Sequence, residues 1–474
     1  MYFSAVEDLA NLGLMRLTIN WGLVAAFLAF MRSSGPETGL NEIRQLCTGE
    51  YHKVSPCGLR RGIHWNPSEI ANLQLDGVPR EARRLLRSTV LSCVFTWAGE
   101  HEIILQRLSG GVDSSIATVC LGLAPSRPRV SCLNYSSRGT YGDERKYARA
   151  VCEKVGFPLI ECRYDSTTPM DSMLTYRRAE SPAAYLMRDG QERIETQQAR
   201  QIGATARFTG IFGDTLFHMP PAAPTAADYI RSHGIDGRFF GIALQAAQID
   251  RVSIWKVFYE ALMSGLIWRP KTFVPGDFEK PERSLLTRAS LEAVCHTDPM
   301  RFVHPWLHDI GNAPPGKLRV IASLSWNSTY FNALPEPGEP EVIHPFFSEP
   351  LAELCLRLPS YSMLRDGWDR ALVREAFARE LPDVIRYRVS KGSPNLTIRE
   401  RVTHNRSFID KLLAESVLVR QGILDRNRIS ECLPGQATRS PASPAHLWAF
   451  VAAEAWSRAW LCDTRAGSGL LPLH

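Results

Sequence analysis

A glycine-rich turn between a short apolar segment and a helix candidate is the feature that most constrains the fold of this chain. The turn reads Ser-Gly-Gly-Val-Asp-Ser-Ser over residues 109–115, and a run rich in leucine and isoleucine precedes it at 101–108. A strand that passes through glycines into a helix directs the free N–H groups of that helix toward an anion. Strand candidates at 129–135 and 158–163 then alternate with a helix candidate at 143–155. This alternation predicts parallel strands joined by right-handed crossovers.

The residues of the turn fit a phosphate that is bound together with a metal ion. Gly110 and Gly111 let the backbone pass close to a bulky anion. Hydroxyl donors come from three serines: Ser109, Ser114 and Ser115. A carboxylate about 4 Å from a phosphate charge is repelled by roughly 4 kcal/mol at an effective dielectric of about 20. Asp113 is therefore unfavourable there unless a magnesium ion lies between the two groups, so the turn predicts a metal–nucleotide complex.

The pattern SGGxDS after a strand resembles the pyrophosphate loop of the N-type ATP pyrophosphatases, which cleave ATP between the α and β phosphates. The flanking sequence is most similar to the asparagine synthetase group. Phe208–Phe217, which opens with a strand candidate at 208–211, resembles the second motif of that group, whose aspartate is the second magnesium ligand; here it is Asp214. A later Leu-Pro…Arg…Lys segment places Lys391 where the lysine of the family neutralises charge as pyrophosphate leaves. The resemblance assigns the ATP contacts to Leu108, Ser109, Gly110, Gly111, Asp113, Ser114, Ser115, Thr209 and Gly210, and the catalytic roles to Lys391, Asp113 and Asp214.

The N-terminal part differs from asparagine synthetase itself, which carries a cysteine amidotransferase that makes ammonia from glutamine. The chain begins Met1-Tyr2 and has no cysteine before Cys47, yet residues 32–51 resemble the last part of that amidotransferase domain. We therefore expect residues 1–78 to be a truncated amidotransferase-like remnant and residues 79–474 to be the amide-forming domain. A wrongly chosen start codon would give the same appearance.

Two relatives close a ring within one molecule, and this chain is similar to one of them. β-Lactam synthetases use a tyrosine in the second motif, where this chain has Ile211. Lasso-peptide cyclases are similar to this chain in Asp143–Arg149 and in the C-terminal helix that contains 446–456. The resemblance implies adenylation of an Asp or Glu side chain of a ribosomal precursor peptide and closure onto its N-terminal amine, with release of AMP and pyrophosphate. Alternatives are a β-lactam-type or asparagine synthetase-like ligase for a small substrate, and a non-catalytic scaffold of a peptide-processing complex.

Two residues of the second motif depart from the family pattern. Phe212 stands where a small residue is usual, and Thr215 replaces a common acid. Both affect the geometry expected around Asp214. Beyond residue 226 the sequence is mostly helical and rich in aromatic residues up to 332, which suit either the walls of a substrate pocket or an ordinary core.

Composition excludes several classes of partner. The 55 basic and 49 acidic residues leave a net charge of +6, and the basic residues are scattered, so nucleic acid is not expected as a partner. The 11 cysteines have no zinc-binding spacing, which is typical of a reduced, cytoplasmic protein. The apolar run 21–31 is too short to span a bilayer. The family resemblance adds a leader peptidase and a leader-binding protein as expected partners.

Taken together, the sequence predicts an α/β protein. We expect a parallel sheet of the adenine nucleotide alpha-hydrolase (PP-loop) type with a helical C-terminal part, preceded by a small degenerate β-rich N-terminal domain. The expected cofactors are ATP and Mg²⁺.

Overall fold

The computed structural model describes residues 1–31, 33–75, 79–136, 143–163, 165–176, 178–187, 190–218, 221–267, 271–274, 283, 285–326, 330, 338–389, 394–432 and 444–466. The strands in these ranges are β1 (Glu50–Ser55), β2 (Gly58–Ile63), β3 (Ile103–Arg107), β4 (Arg129–Ser136), β5 (Leu159–Arg163), β6 (Ala206–Phe208) and β7 (Glu341–Ile343). The helices up to residue 262 are α1 (Val6–Asn11), α2 (Trp21–Phe30), α3 (Pro67–Asn72), α4 (Pro79–Gly99), α5 (Val112–Gly122), α6 (Arg145–Val155), α7 (Ala183–Met187), α8 (Gly190–Ile202), α9 (Gly213–Leu216), α10 (Ala223–His233), α11 (Gly237–Asp250) and α12 (Ile254–Leu262).

The later helices are α13 (Arg288–His296), α14 (Pro315–Ser325), α15 (Glu349–Arg357), α16 (Ala371–Ala376), α17 (Asp383–Arg386), α18 (Pro394–His404), α19 (Arg406–Ala414), α20 (Val417–Arg420), α21 (Arg426–Cys432) and α22 (Pro444–Ala466). Short 3-10 turns occupy Asp171–Thr175, Pro299–Arg301, Pro305–Leu307 and Ser360–Met363, and a π-helical turn, Met263–Ile267, follows α12. In the ranges that the structure describes, no helix combines the length and the apolar character needed to cross a membrane.

The central sheet has five parallel strands, which confirms the predicted α/β class. The strands lie in the order β5-β4-β3-β6-β7, and each neighbouring pair is parallel. The chain builds outward from β3 through β4 to β5 on one side, and then returns to place β6 and β7 on the other. The strand order therefore reverses between β3 and β6. In open α/β sheets, ligands bind beyond the carboxyl ends of the strands at such a switch point.

Successive side chains of β3 enter two different hydrophobic cores. Ile104 belongs to the large core that contains residues of α4, α5 and α6, whereas Leu105 lies with Leu133 and Ala199 in a smaller core on the side of α8. Burial on both faces explains why the first three residues of this strand, Ile103, Ile104 and Leu105, are all apolar instead of alternating. The packing on both sides fixes the carboxyl ends of β3 and β6, from which the two site turns emerge.

The N-terminal part, predicted to be small and β-rich, contains a two-stranded antiparallel sheet. It is the hairpin of β1 and β2, which pair from Glu50 with Ile63 to Ser55 with Gly58. Helix α2 is buried along most of its length, and its residues share a hydrophobic core with those of the C-terminal helix α22. The division of the chain at residues 78 and 79 stays a prediction.

Candidate active site

The first glycine-rich turn leaves the sheet at the end of β3 and is held by the neighbouring strand β4. The N–H of Leu108 donates to the carbonyl of Leu133 at 2.9 Å, and Nδ2 of Asn134 donates to the carbonyl of Leu108 at 2.7 Å. Asn134 is buried, and in the described part of the chain its Oδ1 has no hydrogen-bond partner. A buried acceptor without a partner is costly. Its place beside Leu108 suits a ligand that brings an N–H group, as adenine does.

Gly110 is the position at which this turn requires glycine. Its φ is +74°, and a Cβ atom there would lie 2.8 Å from Cβ of Tyr147. Gly111 has a φ of −75° and forms the N-cap of α5 without any side-chain cap. The first N–H groups of α5 are therefore not capped by a side chain. They lie at the positive end of the helix dipole, where an anion is stabilised.

The three serines of the turn differ in exposure. Ser109 is exposed, and its Oγ lies 3.1 Å from Oγ of Ser114. Ser114 and Ser115 are buried and donate to the carbonyl of Gly111 at 3.2 and 2.7 Å. These two hydroxyls brace the start of α5, whereas Ser109 is the serine of the three that faces solvent.

The second turn follows β6 and interlocks with the first. A Cβ atom at Gly210 would lie 2.5 Å from the backbone N of Ser114, and one at Gly213 would lie 2.5 Å from Cβ of Asp113. Approaches this close require glycine. Asp214 follows Gly213 directly in α9. The structure therefore brings together, at the switch point, the two turns that carry the predicted carboxylates, about a hundred residues apart in sequence.

Thr209 ties the start of the second turn to the end of β7. Its Oγ1 lies 2.7 Å from Nδ1 of His344 and accepts a hydrogen bond from the N–H of Ile211 at 3.2 Å. Burial lowers the pKa of His344 to about 3, and the positive charges of two nearby arginines act in the same direction. The imidazole is thus held uncharged as a structural support of the turn.

The loop before α16 brings a cation onto the carboxylate of Asp113. Nε of Arg370 donates to Oδ1 of Asp113 at 3.0 Å, and Arg370 also forms an ion pair with its neighbour Asp369. Burial lowers the pKa of this guanidinium, but the charges of Asp113, Asp369 and Asp214 raise it above its usual value. The Arg370 side chain is only 7% exposed. It is therefore a desolvated cation that three carboxylates stabilise.

Arg388 supplies a second guanidinium, which contacts the backbone of the first turn. Nη1 of Arg388 donates to the carbonyl of Gly110 at 2.6 Å, and its guanidinium carbon lies 3.8 Å from the ring centroid of Tyr147. Arg388 also forms an ion pair with Glu144, the residue at the N-cap of α6. These contacts hold Gly110 in the left-handed conformation that the turn needs.

The family model for asparagine synthase matches residues 339–458. This match supports an asparagine synthetase-like family. Such ligases are ATP-dependent and typically use Mg²⁺, and their domain has the PP-loop fold, which agrees with the parallel sheet described above. The matched part supplies Arg370 and Arg388, whereas both turns lie before it. No curated protein matches the chain.

The two carboxylates of the candidate site fit a magnesium–nucleotide complex better than a metal site made by protein alone. In the described residues, no three His, Cys, Asp or Glu side chains form a group that could hold a metal ion. Mg²⁺ commonly takes one or two carboxylates and completes its octahedron with phosphate oxygens and water. Asp113 and Asp214 meet that requirement. Because Arg370 now neutralises Asp113, a bound cation would have to displace this guanidinium toward the phosphates.

Phe212 holds an unusual conformation in the second turn. Its φ is +70°, in the region that favours glycine. The ring is buried, with its centroid 4.2 Å from that of Phe347 and 5.3 Å from that of Tyr330. A left-handed backbone costs a non-glycine residue about 1–2 kcal/mol. The aromatic packing offsets this cost, so this departure from the asparagine synthetase-like pattern is accommodated within the turn.

Two further sequence predictions, for Lys391 and for the aromatic-rich region, concern residues outside the two turns. Lys391 lies outside the described residues, three positions after Arg388. In the aromatic-rich region, Trp306 is buried in the large core, whereas Trp255 is 74% exposed and Phe240 52% exposed. These aromatic residues therefore divide between core and surface.

Sequence reasoning missed three residues of the candidate site. They are Asn134, Arg370 and Arg388. A polar residue between Leu133 and Tyr135, near the carboxyl end of β4, was a usable signal for Asn134. Arginine is too common for spacing alone to mark the other two, because their role depends on contacts with residues more than 240 positions away in sequence.

Proposed function

We propose that this protein is an ATP-dependent amide ligase that activates a carboxylate as its adenylate and transfers the acyl group to an amine. The observation that carries the proposal is the convergence of two aspartate-bearing turns and two buried arginines at the switch point of the sheet. Anions with several charges, such as a nucleotide triphosphate, are the ligands for which such an arrangement is suited.

In the first half-reaction, a carboxylate oxygen of the substrate attacks the α-phosphorus of ATP, and the bond from that phosphorus to the bridging oxygen of the β-phosphate breaks. The N–H groups at the start of α5 and the Gly110–Gly111 backbone bind the triphosphate. Arg370 moves from Asp113 to the phosphate oxygens and stabilises the charge that develops on them. A magnesium ion held by Asp113 and Asp214 would supply charge neutralisation at the leaving pyrophosphate.

In the second half-reaction, the amine attacks the acyl carbon and AMP leaves. No covalent bond to the protein is needed. The task of the protein is then to hold the amine and the acyl group at reacting distance and to exclude water, which would otherwise hydrolyse the adenylate.

The finer proposal is that the substrate is a ribosomal precursor peptide. The acyl donor is the side chain of an Asp or a Glu, the acceptor is the N-terminal amine, and the product is a lasso-peptide macrolactam. The resemblance of Asp143–Arg149 and of the C-terminal helix to lasso-peptide cyclases supports this reading, as does Ile211 at the position of the β-lactam synthetase tyrosine. A leader peptidase and a leader-binding protein would act with the enzyme.

The decisive experiment incubates the protein with ATP, Mg²⁺ and a panel of synthetic peptides that have a free N-terminus and carry one Asp or one Glu. We expect AMP release, peptide-dependent exchange of pyrophosphate into ATP, and loss of one water from the peptide by mass spectrometry. Exchange with free aspartate or glutamate but with no peptide would instead support a ligase for small substrates. No AMP with any carboxylate would reject catalysis in favour of a scaffold.

A further inference from the structure

His218 carries two energetic costs that the described structure does not offset. The residue is only 6% exposed, and Nε2 of its imidazole has no hydrogen-bond partner in the described part of the chain. Its φ is +78°, in the left-handed region that favours glycine. Buried polar atoms without partners are rare in folded proteins, and strained backbones cluster at functional sites. Two such features at one residue therefore point to a ligand.

The residue lies at the candidate active site. It follows α9 and stands four positions after Asp214. Burial lowers the pKa of His218 to about 3; the charge of Lys317 lowers it further, and the opposite charges of Asp369 and Arg370 also act on it. The ring is thus uncharged at neutral pH and lies within electrostatic reach of the Asp369–Arg370 pair.

A neutral imidazole is suited to one requirement of the second half-reaction. The attacking amine must be uncharged, and its N–H groups need an acceptor while its lone pair points at the acyl carbon. The described groups around the first turn are mainly donors and cations, which suit phosphate oxygens. Thr215, where the family commonly has an acid, supplies no carboxylate. An acceptor nitrogen at residue 218 would fill this need.

We propose that His218 is a substrate-contacting residue that accepts a hydrogen bond from the attacking amine and so holds it beside the acyl-adenylate. This inference rests on the proposed ligase function. The role of His218 and the ligase function can be tested separately, because pyrophosphate exchange needs no amine whereas amide formation does.

The test compares the wild-type protein with His218→Gly and with Arg251→Gly. Glycine relieves the positive φ at both positions, and exposed Arg251, whose φ is +54°, ends α11 and belongs to neither turn. Each variant is assayed for pyrophosphate exchange with the peptide panel and for hydroxamate formation with hydroxylamine as the amine, and its Tm is measured.

We expect His218→Gly to change the Tm by no more than about 3 °C, since the relief of strain and of an unpaired polar atom offsets the loss of a buried ring. Exchange should stay within about twofold of wild type, while the apparent KM for hydroxylamine rises about tenfold, as loss of one hydrogen bond implies. Arg251→Gly, which removes strain at an exposed side chain, should raise the Tm by about 1–3 °C and change neither reaction.

Three results would overturn the inference. A Tm for His218→Gly lower by more than about 5 °C makes His218 a structural residue, and an equal loss in both half-reactions makes it part of the nucleotide site. An unchanged KM for hydroxylamine removes its contact with the amine. By contrast, no exchange in the wild-type protein rejects the ligase function itself, and the role of His218 with it.

Discussion

Both turns at the switch point of the sheet connect a strand to a helix, but different interactions stabilise them. The first runs from β3 into an eleven-residue helix, and the residue with positive φ is a glycine, Gly110. The second runs from β6 into a four-residue helix, and the residue with positive φ is Phe212, which is held by an aromatic cluster. The first turn therefore follows from local chemistry, whereas the second depends on tertiary packing. This difference fits the proposed function, in which the first turn would bind the phosphates and the second would mainly position a carboxylate.

The largest effect is expected from Asp113→Asn in the first turn. The amide keeps the shape of the side chain but removes the charge that pairs with Arg370 and would bind the cation. We expect pyrophosphate exchange to fall by about 10³-fold or more. Circular dichroism should show an unchanged fold, since Arg370 keeps its ion pair with Asp369. Exchange at the wild-type rate would remove the metal role.

Asp214→Asn in the second turn should have a smaller effect. Asp214 is partly exposed, and one of its oxygens already accepts the N–H of Thr215 at 3.0 Å. We expect exchange to fall by about 10²-fold, with a higher Mg²⁺ concentration needed for half-maximal rate. A magnesium titration of both variants measures this difference. A larger loss for Asp214→Asn than for Asp113→Asn would reverse the ranking of the two turns.

Gly110→Ala in the first turn and Phe212→Gly in the second should each destabilise the protein. Gly110→Ala introduces strain and a Cβ atom 2.8 Å from Tyr147, at a cost of about 1–3 kcal/mol. Phe212→Gly relieves strain but removes a buried ring, so we expect a net loss of about 2–3 kcal/mol. Urea unfolding measures both. A gain in stability for Phe212→Gly would show that strain outweighs packing in the second turn.

As the pH falls, we expect the second turn to lose stability at a higher pH than the first. The folded-state pKa of His344, about 3, lies below the ordinary value near 6.5, so the unfolded chain binds the proton first as the pH falls. The stability that this residue contributes is present above about pH 6.5 and decreases toward pH 3. Hydrogen exchange at pH 7 and pH 5 should show faster exchange at residues 209–213 and little change at 108–112. Equal changes in both segments would remove the special role of His344.

The parts of the fold that could be predicted are those with local signals. The apolar strands β3, β4 and β5 and helix α5 lie close to their expected places because their periodicity and the glycine turn are local in sequence. The next strand was expected at 208–211 but occupies Ala206–Phe208, because the chain turns at 209–212 into α9. Strand β7 has three residues, too few for a pattern, and its identity depends on pairing with β6.

The residues of the candidate site also divide into those with a local sequence signal and those without one. Asp113 and Asp214 were expected together because the family resemblance assigns both to one magnesium site, and in the structure their turns are in contact beyond parallel strands. Arg370 and Arg388 could not be predicted, since nothing near them in sequence indicates which loop they reach. The roles of Lys391 and of the remnant at residues 1–78 stay predictions.

Helix α2 and helix α22, near opposite ends of the chain, belong to one hydrophobic core. In that core Phe27 and Trp456 are both fully buried. A recombinant fragment that starts at residue 79 would leave the apolar side of α22 facing water and would tend to aggregate. Work on the isolated ligase region should therefore keep the first thirty residues or supply them as a separate peptide.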